Sequence, residues 1–215
     1  MREGVVVEFL IRNNEKVDRI FNFSFQGNFD LRPTWLGERT HMKDDLDDVQ
    51  FLKSENVLLA KDKSNPWFAV VGSSLAPEGF SLESVGCSGA DISKANGASL
   101  LFQVSIEAGG QAIIPIYIAG SYHSQAEALA TFSNIRQGAI ASLIDKIARY
   151  DSIKNTARIE VPDTTLQRML EWVKYSTDWL VRDVPEMGRG LSAGAPDYPW
   201  WFGCDSEYLT HSNMR

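Results

Sequence analysis

The feature that most constrains the fold is a change in the spacing of apolar residues near Ser124. Before it, apolar and polar residues alternate. In residues 20–26 this places Phe21, Phe23 and Phe25 on one face of an extended chain. After Ser124, apolar residues recur every three or four positions, which is typical of helices. The chain is therefore predicted to form strands first and helices second.

The first part of the chain predicts an antiparallel β-sandwich. Extended runs cover residues 5–12, 20–26, 56–61, 67–72, 100–107 and 111–119. Turn-forming residues at Asn13-Asn14, at 62–66 and at 108–110 predict three hairpins, each joining the two strands that flank it. Because no helical pattern interrupts these strands, they are expected to build two packed antiparallel sheets.

The second part predicts helices. Residues 124–127 (Ser-Gln-Ala-Glu) have the spacing of an N-terminal capping box. A pair of helices, or one bent helix, is expected from residue 125 to about residue 150. Residues 162–164 (Pro-Asp-Thr) start a further helix that runs to about residue 182. Its apolar stripe comprises Leu166, Met169, Leu170, Val173, Thr177 and Leu180, flanked by Trp172 and Trp179. This stripe is interpreted as core packing.

Residues 188–205 contain four glycines, two prolines and four aromatic residues. Glycine and proline at this density predict an irregular loop rather than a helix or strand. Neighbouring indoles such as Trp200 and Trp201 either pack into a core or stack on a ligand, and a sugar ring has an apolar face that suits them. Asp205 can accept hydrogen bonds from sugar hydroxyls. With Tyr198 as a further aromatic, the segment is a candidate saccharide subsite; core packing of its rings is the alternative.

Residues 193–206 resemble the A-G-x-P-W-F-x-G-R-D-T segment of glycogen-debranching, amylo-alpha-1,6-glucosidase-like and glucoamylase-like glycoside hydrolases. The resemblance implies a β-sandwich followed by an (α/α)6 barrel, with this segment reaching the sugar pocket. Asp205 matches the family's hydroxyl-binding aspartate, and Trp200 and Trp201 match its aromatic positions. Cys204 stands where the family has an arginine, which removes a bidentate donor from the site.

The resemblance implies three segments: a β-sandwich over residues 1–121, a helical linker over residues 122–155 and the start of a catalytic barrel over residues 156–215. Twelve barrel helices need roughly 200 residues or more, and a sandwich of the resembled family usually has more chain before it than the few residues that precede Val5. Both chain ends are therefore expected to be cut. Glycoside hydrolysis needs two carboxyl groups, which in this family come from later barrel loops. The chain is therefore expected to be the N-terminal portion of a glycosidase that acts on α-glucan-type oligo- or polysaccharides, and to be inactive alone.

Two other functions remain open. The chain could be a non-catalytic carbohydrate-binding or interaction β-sandwich. Alternatively, a pair among Asp197, Asp205 and Glu207 could flank a glycosidic bond and make the chain a glycosidase in its own right. Without the rest of a barrel, the apolar stripe of the later helix is expected to be exposed, so its partner would be that remainder or a second copy of the chain.

Composition excludes several other classes. With 28 acidic against 21 basic residues, the chain is not expected to bind nucleic acid or an anionic membrane. No apolar run is long enough to span a membrane, and the start lacks the features of a signal peptide, so the compartment is left open between cytoplasmic and exported. His41, His123 and His211 are scattered, so neither a metal nor a cofactor is predicted. Cys87 and Cys204 are interpreted as free thiols.

The acidic run at residues 43–48 raises the question of calcium binding. It lacks the glycine and the terminal glutamate of a standard calcium loop. It is therefore interpreted as a solvated acidic turn.

Overall fold

The computed structural model describes residues 4–32, 41, 43, 45–83, 96–184, 188–194, 198 and 201. The chain divides into two compact units: residues 1–33 with 41–139, and residues 34–40 with 140–215. The described part of the first unit contains two antiparallel sheets and the beginning of a long helix. That of the second contains the end of this helix, a further helix and a small hairpin. The predicted β-sandwich followed by helices is confirmed.

Five described strands form the larger sheet of the first unit: β1 (Gly4–Arg12), β3 (Asp47–Leu52), β4 (Val57–Asp62), β5 (Phe68–Ser73) and β8 (Gln111–Ser121). They lie in the order β1-β8-β5-β4-β3, and all neighbours are antiparallel. The smaller sheet contains β2 (Arg19–Phe29), β6 (Gly79–Ser81) and β7 (Asn96–Ile106), in the order β2-β7-β6.

The main hydrophobic core lies between these two sheets. Its buried members come from both of them: Phe29, Leu58, Ala60, Val71, Ala98, Leu100, Phe102, Ile114 and Ile116. Phe23 and Phe25 of β2 also pack there, and the ring centroids of Phe9 and Phe23 are 4.9 Å apart. The alternating face predicted from the sequence of β2 is thus the face that meets the core.

The larger sheet is also covered on its second face, by the first part of helix α1 (Gln125–Asn155). Ala128, Phe132 and Ile135 are the helix residues buried in this second core. The approach is close at Gly72, where a Cβ would lie 2.9 Å from the ring of Phe132. Burial on both faces explains why the first four residues of β4 are all buried and do not alternate.

The predicted capping residues do begin α1. The Glu127 N–H donates to Ser124 Oγ at 3.2 Å, while the Glu127 carboxylate accepts from Ser121 Oγ at 2.7 Å. The helix then continues without interruption through Gly138 to Asn155, as one helix and not as a pair. It passes from the first unit into the second between residues 139 and 140.

Two of the three predicted hairpins are wrong. β1 pairs with β8, and β2 pairs with β7, so the turn at Asn13-Asn14 and the turn at 108–110 each join strands of different sheets. The connection between β4 and β5 is a paired hairpin, as predicted. The local turn signal is the same in all three cases, because it reports a reversal of the chain and not the partner of each strand.

A buried asparagine links the two crossing turns. The Asn13 side-chain amide donates to the carbonyl oxygens of Val17, Ile106 and Glu107, at 2.8, 3.0 and 3.0 Å. Its backbone N–H donates to the carbonyl of Gly110 at 2.9 Å. Asn13 therefore satisfies carbonyl groups of both turns where the chain leaves one sheet for the other.

The interpretation of the acidic run as a solvated turn is wrong for Asp47. Asp47 is only 1% exposed, and its Oδ2 accepts from the Leu31 N–H at 2.6 Å. Asp62, at the end of β4, is also buried, and its Oδ1 accepts from the backbone N–H groups of Ser64 and Asn65. These carboxylates are buried because backbone donors of adjacent turns replace water. No cluster of three or more metal-ligating side chains occurs within the described ranges.

In the second unit, helix α2 (Thr164–Leu180) is capped as predicted. Asp163 Oδ1 accepts from the Leu166 N–H at 2.8 Å. Strand β9 (Val181–Val184) follows and pairs with β10 (Gly188–Leu191). The expectation that glycine excludes a strand here is wrong, because pairing with β9 satisfies the backbone of β10 despite the low strand propensity of glycine.

Helix α2 packs on the end of α1 through polar and aromatic groups. Arg149 makes a bidentate hydrogen bond to Asp178, at 3.1 and 2.5 Å, and this bond together with the charge of Asp178 raises the pKa of Arg149. The Trp179 indole N–H donates to the Tyr150 hydroxyl, and the Tyr150 and Tyr175 rings meet edge to face at 5.0 Å. The side of α2 that contacts α1 is therefore not its apolar stripe.

Half of the apolar stripe of α2 is exposed, while Leu170, Thr177 and Leu180 are half-buried. Leu166, Met169 and Val173 are 46, 59 and 59% exposed, and no residue of α2 is buried in the part of the chain that the structure describes. The interpretation of this stripe as packed core is thus wrong for these residues, while the exposure expected without a complete barrel is found. An apolar surface of this kind is typical of a protein interface.

Lys174 of α2 closes the C-terminal end of α1. Its Nζ donates to the carbonyl oxygens of Lys154, Thr156 and Ala157, at 3.1, 2.7 and 3.1 Å. The last carbonyls of a helix lack partners within the helix and carry partial negative charge. An ammonium group at this position satisfies these carbonyls and fixes the loop between the two helices.

We expect Asn13→Ala to lower the free energy of unfolding by about 1–3 kcal/mol, because it leaves buried carbonyl groups without a donor. Chemical denaturation of the purified chain measures this. Asn14→Ala is the matched control, since Asn14 is exposed in the same turn. Equal stabilities of the two variants would contradict the structural role of Asn13.

We expect Lys174→Met to destabilise the second unit by about 1 kcal/mol, because the end of α1 loses its capping charge. Thermal unfolding followed by far-ultraviolet circular dichroism reports on the helices. Lys53→Met, at an exposed lysine between β3 and β4, controls for the loss of one surface charge. A Lys174→Met transition that coincides with that of the control would refute the capping role.

Candidate functional site

The candidate sugar-binding segment leaves the hairpin at a fixed point. Ser192 is buried, and both its backbone N–H and its Oγ donate to the carbonyl oxygen of Leu180, at 2.7 and 3.0 Å. Leu180 is the last residue of α2. These two bonds tie the chain after β10 to the end of the helix, so the segment that follows starts from a defined position.

Beyond Ser192, Gly194 and Tyr198 form an isolated antiparallel bridge. Gly194 and Tyr198 exchange two backbone hydrogen bonds, at 2.9 and 2.6 Å. The side chain of Tyr198 is 55% exposed. An exposed aromatic ring on a hydrogen-bonded bridge is able to contact a ligand, and its hydroxyl group adds a donor and an acceptor.

Trp201 is partly buried and lies against β10. A Cβ on Gly190 would lie 2.8 Å from Cε2, 3.0 Å from Nε1 and 3.1 Å from Cδ2 of the indole. The indole Nε1 is itself buried and has no hydrogen-bond partner within the described parts of the chain. The contact with β10 is of the kind expected if the Trp201 ring packs into a core. Contact of the same ring with a ligand stays a prediction.

The remaining residues of the predicted site lie outside the described residues. These are Asp205 and Trp200, together with Cys204, Asp197 and Glu207. Of the predicted substrate-binding residues, the structure describes Tyr198 and Trp201, both in the second unit. Their roles in binding a sugar therefore stay predictions.

Sequence reasoning missed two residues that support this segment. The sequence analysis treats Gly190 only as one of the loop-forming glycines of residues 188–205 and assigns no role to Ser192. A small residue every second position, at Gly188, Gly190 and Ser192, was the available signal. It identifies a place where other groups approach the backbone closely.

Glu171, an acidic residue of the second unit, takes part in a hydrogen bond and an ion pair. Gln167 donates to Glu171 at 3.3 Å and thereby lowers the pKa of that carboxyl, and Lys154 and Lys174 lower it further against an opposing effect of desolvation. Lys154 and Glu171 are 3.3 Å apart. These groups line an open cavity of about 340 Å³ with Arg158. With cations and anions paired across it, the cavity presents no unbalanced charge to a ligand.

The first unit has a larger cavity, of about 520 Å³, at one end of the sandwich. Val5, Leu31, Trp67 and Tyr122 are among its lining residues, and apolar atoms make up most of its wall. A sugar site needs several polar groups directed at one point, and this wall supplies few.

Within the residues that the structure describes, no helix is long and apolar enough to cross a membrane.

Comparisons with known proteins bear on the fold. No protein-family model matches the sequence, and no curated protein sequence matches it. Among solved structures, one similar chain is titled "Putative kojibiose phosphorylase from human microbiome", with a TM-score of 0.56 and 12% sequence identity. The match covers 87% of this chain and 25% of that one, so this chain spans a quarter of the length of the solved protein. At this identity the likeness shows the fold alone: a β-sandwich followed by helices.

Proposed function

We propose that the chain is the N-terminal part of a carbohydrate-active enzyme of the glycosidase-like class, and that it contributes a sugar-binding segment to that enzyme's active site. The observation that carries the proposal is the structural match over 87% of the chain. The matched protein is titled "Putative kojibiose phosphorylase from human microbiome". The order of elements supports it, because a β-sandwich precedes helices in both the sequence-based expectation and the structure.

The proposed subsite combines aromatic rings with one carboxylate. Tyr198 is exposed and Trp201 is partly buried, and both follow the anchor at Ser192 in the sequence. Trp200 and Asp205 join them by sequence: the first as a further ring, the second as an acceptor for sugar hydroxyls. The substrate class proposed is an α-glucan-type oligo- or polysaccharide.

The chain is proposed to bind sugar without cleaving it. Hydrolysis needs an acid and a second carboxyl group on opposite sides of the bond, and the resembled family draws both from barrel loops that follow this segment. The remainder of such a barrel is proposed as the partner that covers the apolar stripe of α2. The exposure of Leu166, Met169 and Val173 supports this part of the proposal.

A second candidate function is a binding module without catalysis. One observation favours it: the larger sheet of the first unit is buried on both faces by residues of that unit alone, which is how a module that folds independently is built. In that case a second copy of the chain would cover the stripe of α2.

Isothermal titration of the chain with maltoheptaose and with kojibiose, each with and without phosphate, tests the proposal. We expect weak binding that falls at least about fivefold in Trp201→Ala, Tyr198→Ala and Asp205→Ala, since each removes a contact worth roughly 1 kcal/mol. Tyr122→Ala is the matched control, because Tyr122 is an aromatic residue of the first unit with 61% exposure.

The outcomes separate the candidates. Binding that is lost equally in the control, or absent from a correctly folded chain, would refute a subsite on this segment. Turnover of either sugar by the purified chain would instead establish a catalytic pair among its own carboxylates. A stable dimer in sedimentation, with no sugar binding, would support the non-catalytic module.

A further inference from the structure

We propose that one face of helix α1 pairs two copies of the chain, with their helices antiparallel. This face, called the α1 stripe below, consists of four apolar residues with one charged residue at each end: Arg136, Ile140, Leu143, Ile144, Ile147 and Asp151. The inference concerns the chain itself and does not depend on the proposed function.

The apolar residues of the α1 stripe are exposed to solvent. Ile140 is 75% exposed, and Leu143, Ile144 and Ile147 are 53, 60 and 54% exposed. Residues three and four positions apart lie next to each other on one side of a helix, so these four side chains form a continuous surface. An exposed apolar surface of this kind is typical of a site of protein contact.

The contacts that α1 makes within the chain use other residues. Ala128, Phe132 and Ile135, towards its start, are buried against the larger sheet. Arg149 and Tyr150, towards its end, form hydrogen bonds with α2. Because these contacts are made by residues outside the α1 stripe, a partner can cover the stripe without displacing either of them.

The charged ends of the α1 stripe identify the partner. Arg136 lies four positions before Ile140, and Asp151 lies four positions after Ile147, so both belong to the same side of the continuous helix. Both side chains are exposed. The Arg136 guanidinium lies 5.7 Å from the ring centroid of Phe132, a contact that leaves its N–H groups able to donate to a carboxylate.

The α1 stripe complements itself when a second copy is turned end for end. In an antiparallel pair centred between positions 143 and 144, Ile140 of one copy lies opposite Ile147 of the other. The same register places Arg136 opposite Asp151 at both ends of the pair, because a two-fold axis repeats every contact. One surface thus supplies both the apolar centre and both halves of each charge pair.

The charges select this orientation over a parallel one. A parallel pair would place Arg136 against Arg136 and Asp151 against Asp151, and facing like charges are destabilising. The antiparallel register also keeps the two charged residues near its centre away from like charge. Asp145 and Lys146 lie opposite the positions of Ser142 and Ala141, two small residues that allow the helices to approach.

The length of the α1 stripe sets the strength of the association. From Arg136 to Asp151 the helix rises about 22 Å. A single pair of helices of this length buries less surface than a standard stable interface, so the dimer is weak and forms reversibly with rising concentration.

Sedimentation equilibrium of the whole chain tests the apolar centre. We expect Ile144→Glu to weaken dimerisation at least about tenfold, because each copy then brings a carboxylate into the apolar contact. Met169→Glu is the matched control, since Met169 is an apolar residue of α2 with 59% exposure. A dimer that persists in Ile144→Glu overturns the proposal, as does a dimer lost only in Met169→Glu, which would belong to α2. An unaltered chain that stays monomeric at every concentration overturns it too.

Charge exchange tests the antiparallel orientation. We expect Arg136→Glu and Asp151→Lys each to weaken dimerisation about tenfold, because each places like charges together at both ends. An equal mixture of the two variants should associate as tightly as the unaltered chain, since opposite charges then meet at both ends. Asp145→Lys makes the same change of charge outside the α1 stripe and should have no effect. A mixture that associates no better than its separate components overturns the antiparallel pairing.

Discussion

The structure of the first unit depends on one constraint: the central strands of its larger sheet, β8, β5 and β4, must be buried on both faces. Strands such as β4 consist of consecutive buried apolar residues, so a sheet-on-sheet core alone would leave one row of them in water. The smaller sheet covers one face, and Ala128, Phe132 and Ile135 of α1 cover the other. The absence of side chains at Gly4 and Gly72 lets this helix approach the sheet. The sandwich and the first part of α1 therefore depend on each other to bury their apolar residues.

The second unit is built on a different principle. Its helices contact each other through ion pairs, aromatic edges and the capping of α1 by Lys174, while the apolar residues of α2 face away from that contact. Exposed ion pairs contribute little stability, so this unit has less to hold it together than the first. Three residues of its apolar stripe, Leu166, Met169 and Val173, are exposed, which is typical of a protein interface.

The described residues of the candidate site belong to this second unit. The hairpin after α2 is small, yet two bonds from Ser192 fix it to the helix end, and the indole of Trp201 packs on its one glycine that has no room for a side chain. A binding segment needs such support from rigid neighbours if its aromatic rings are to meet a sugar in a set orientation. The anchor at Ser192 therefore fixes where the segment after β10 begins.

The sequence by itself determined the elements and their order. Alternation around Phe23 gave β2 its core face, Ser124 and Asp163 marked the starts of the two helices, and the whole pattern predicted a sandwich followed by helices. These signals are local, because they depend on the period of one element or on a cap within one turn. They are read without knowing what the element packs against.

Tertiary structure decided everything that depends on a distant partner. The turns at Asn13 and at 108–110 cross between sheets because one buried amide serves carbonyls of both, which no local turn signal encodes. Asp47, the first residue of β3, is buried where its carboxylate accepts from the N–H of Leu31, and the glycine-rich β10 is a strand because β9 lies beside it. The packing of the Trp201 ring on Gly190 likewise exists only once the hairpin has formed. The free energy of each contact comes from groups far apart in the chain, so only the folded structure shows it.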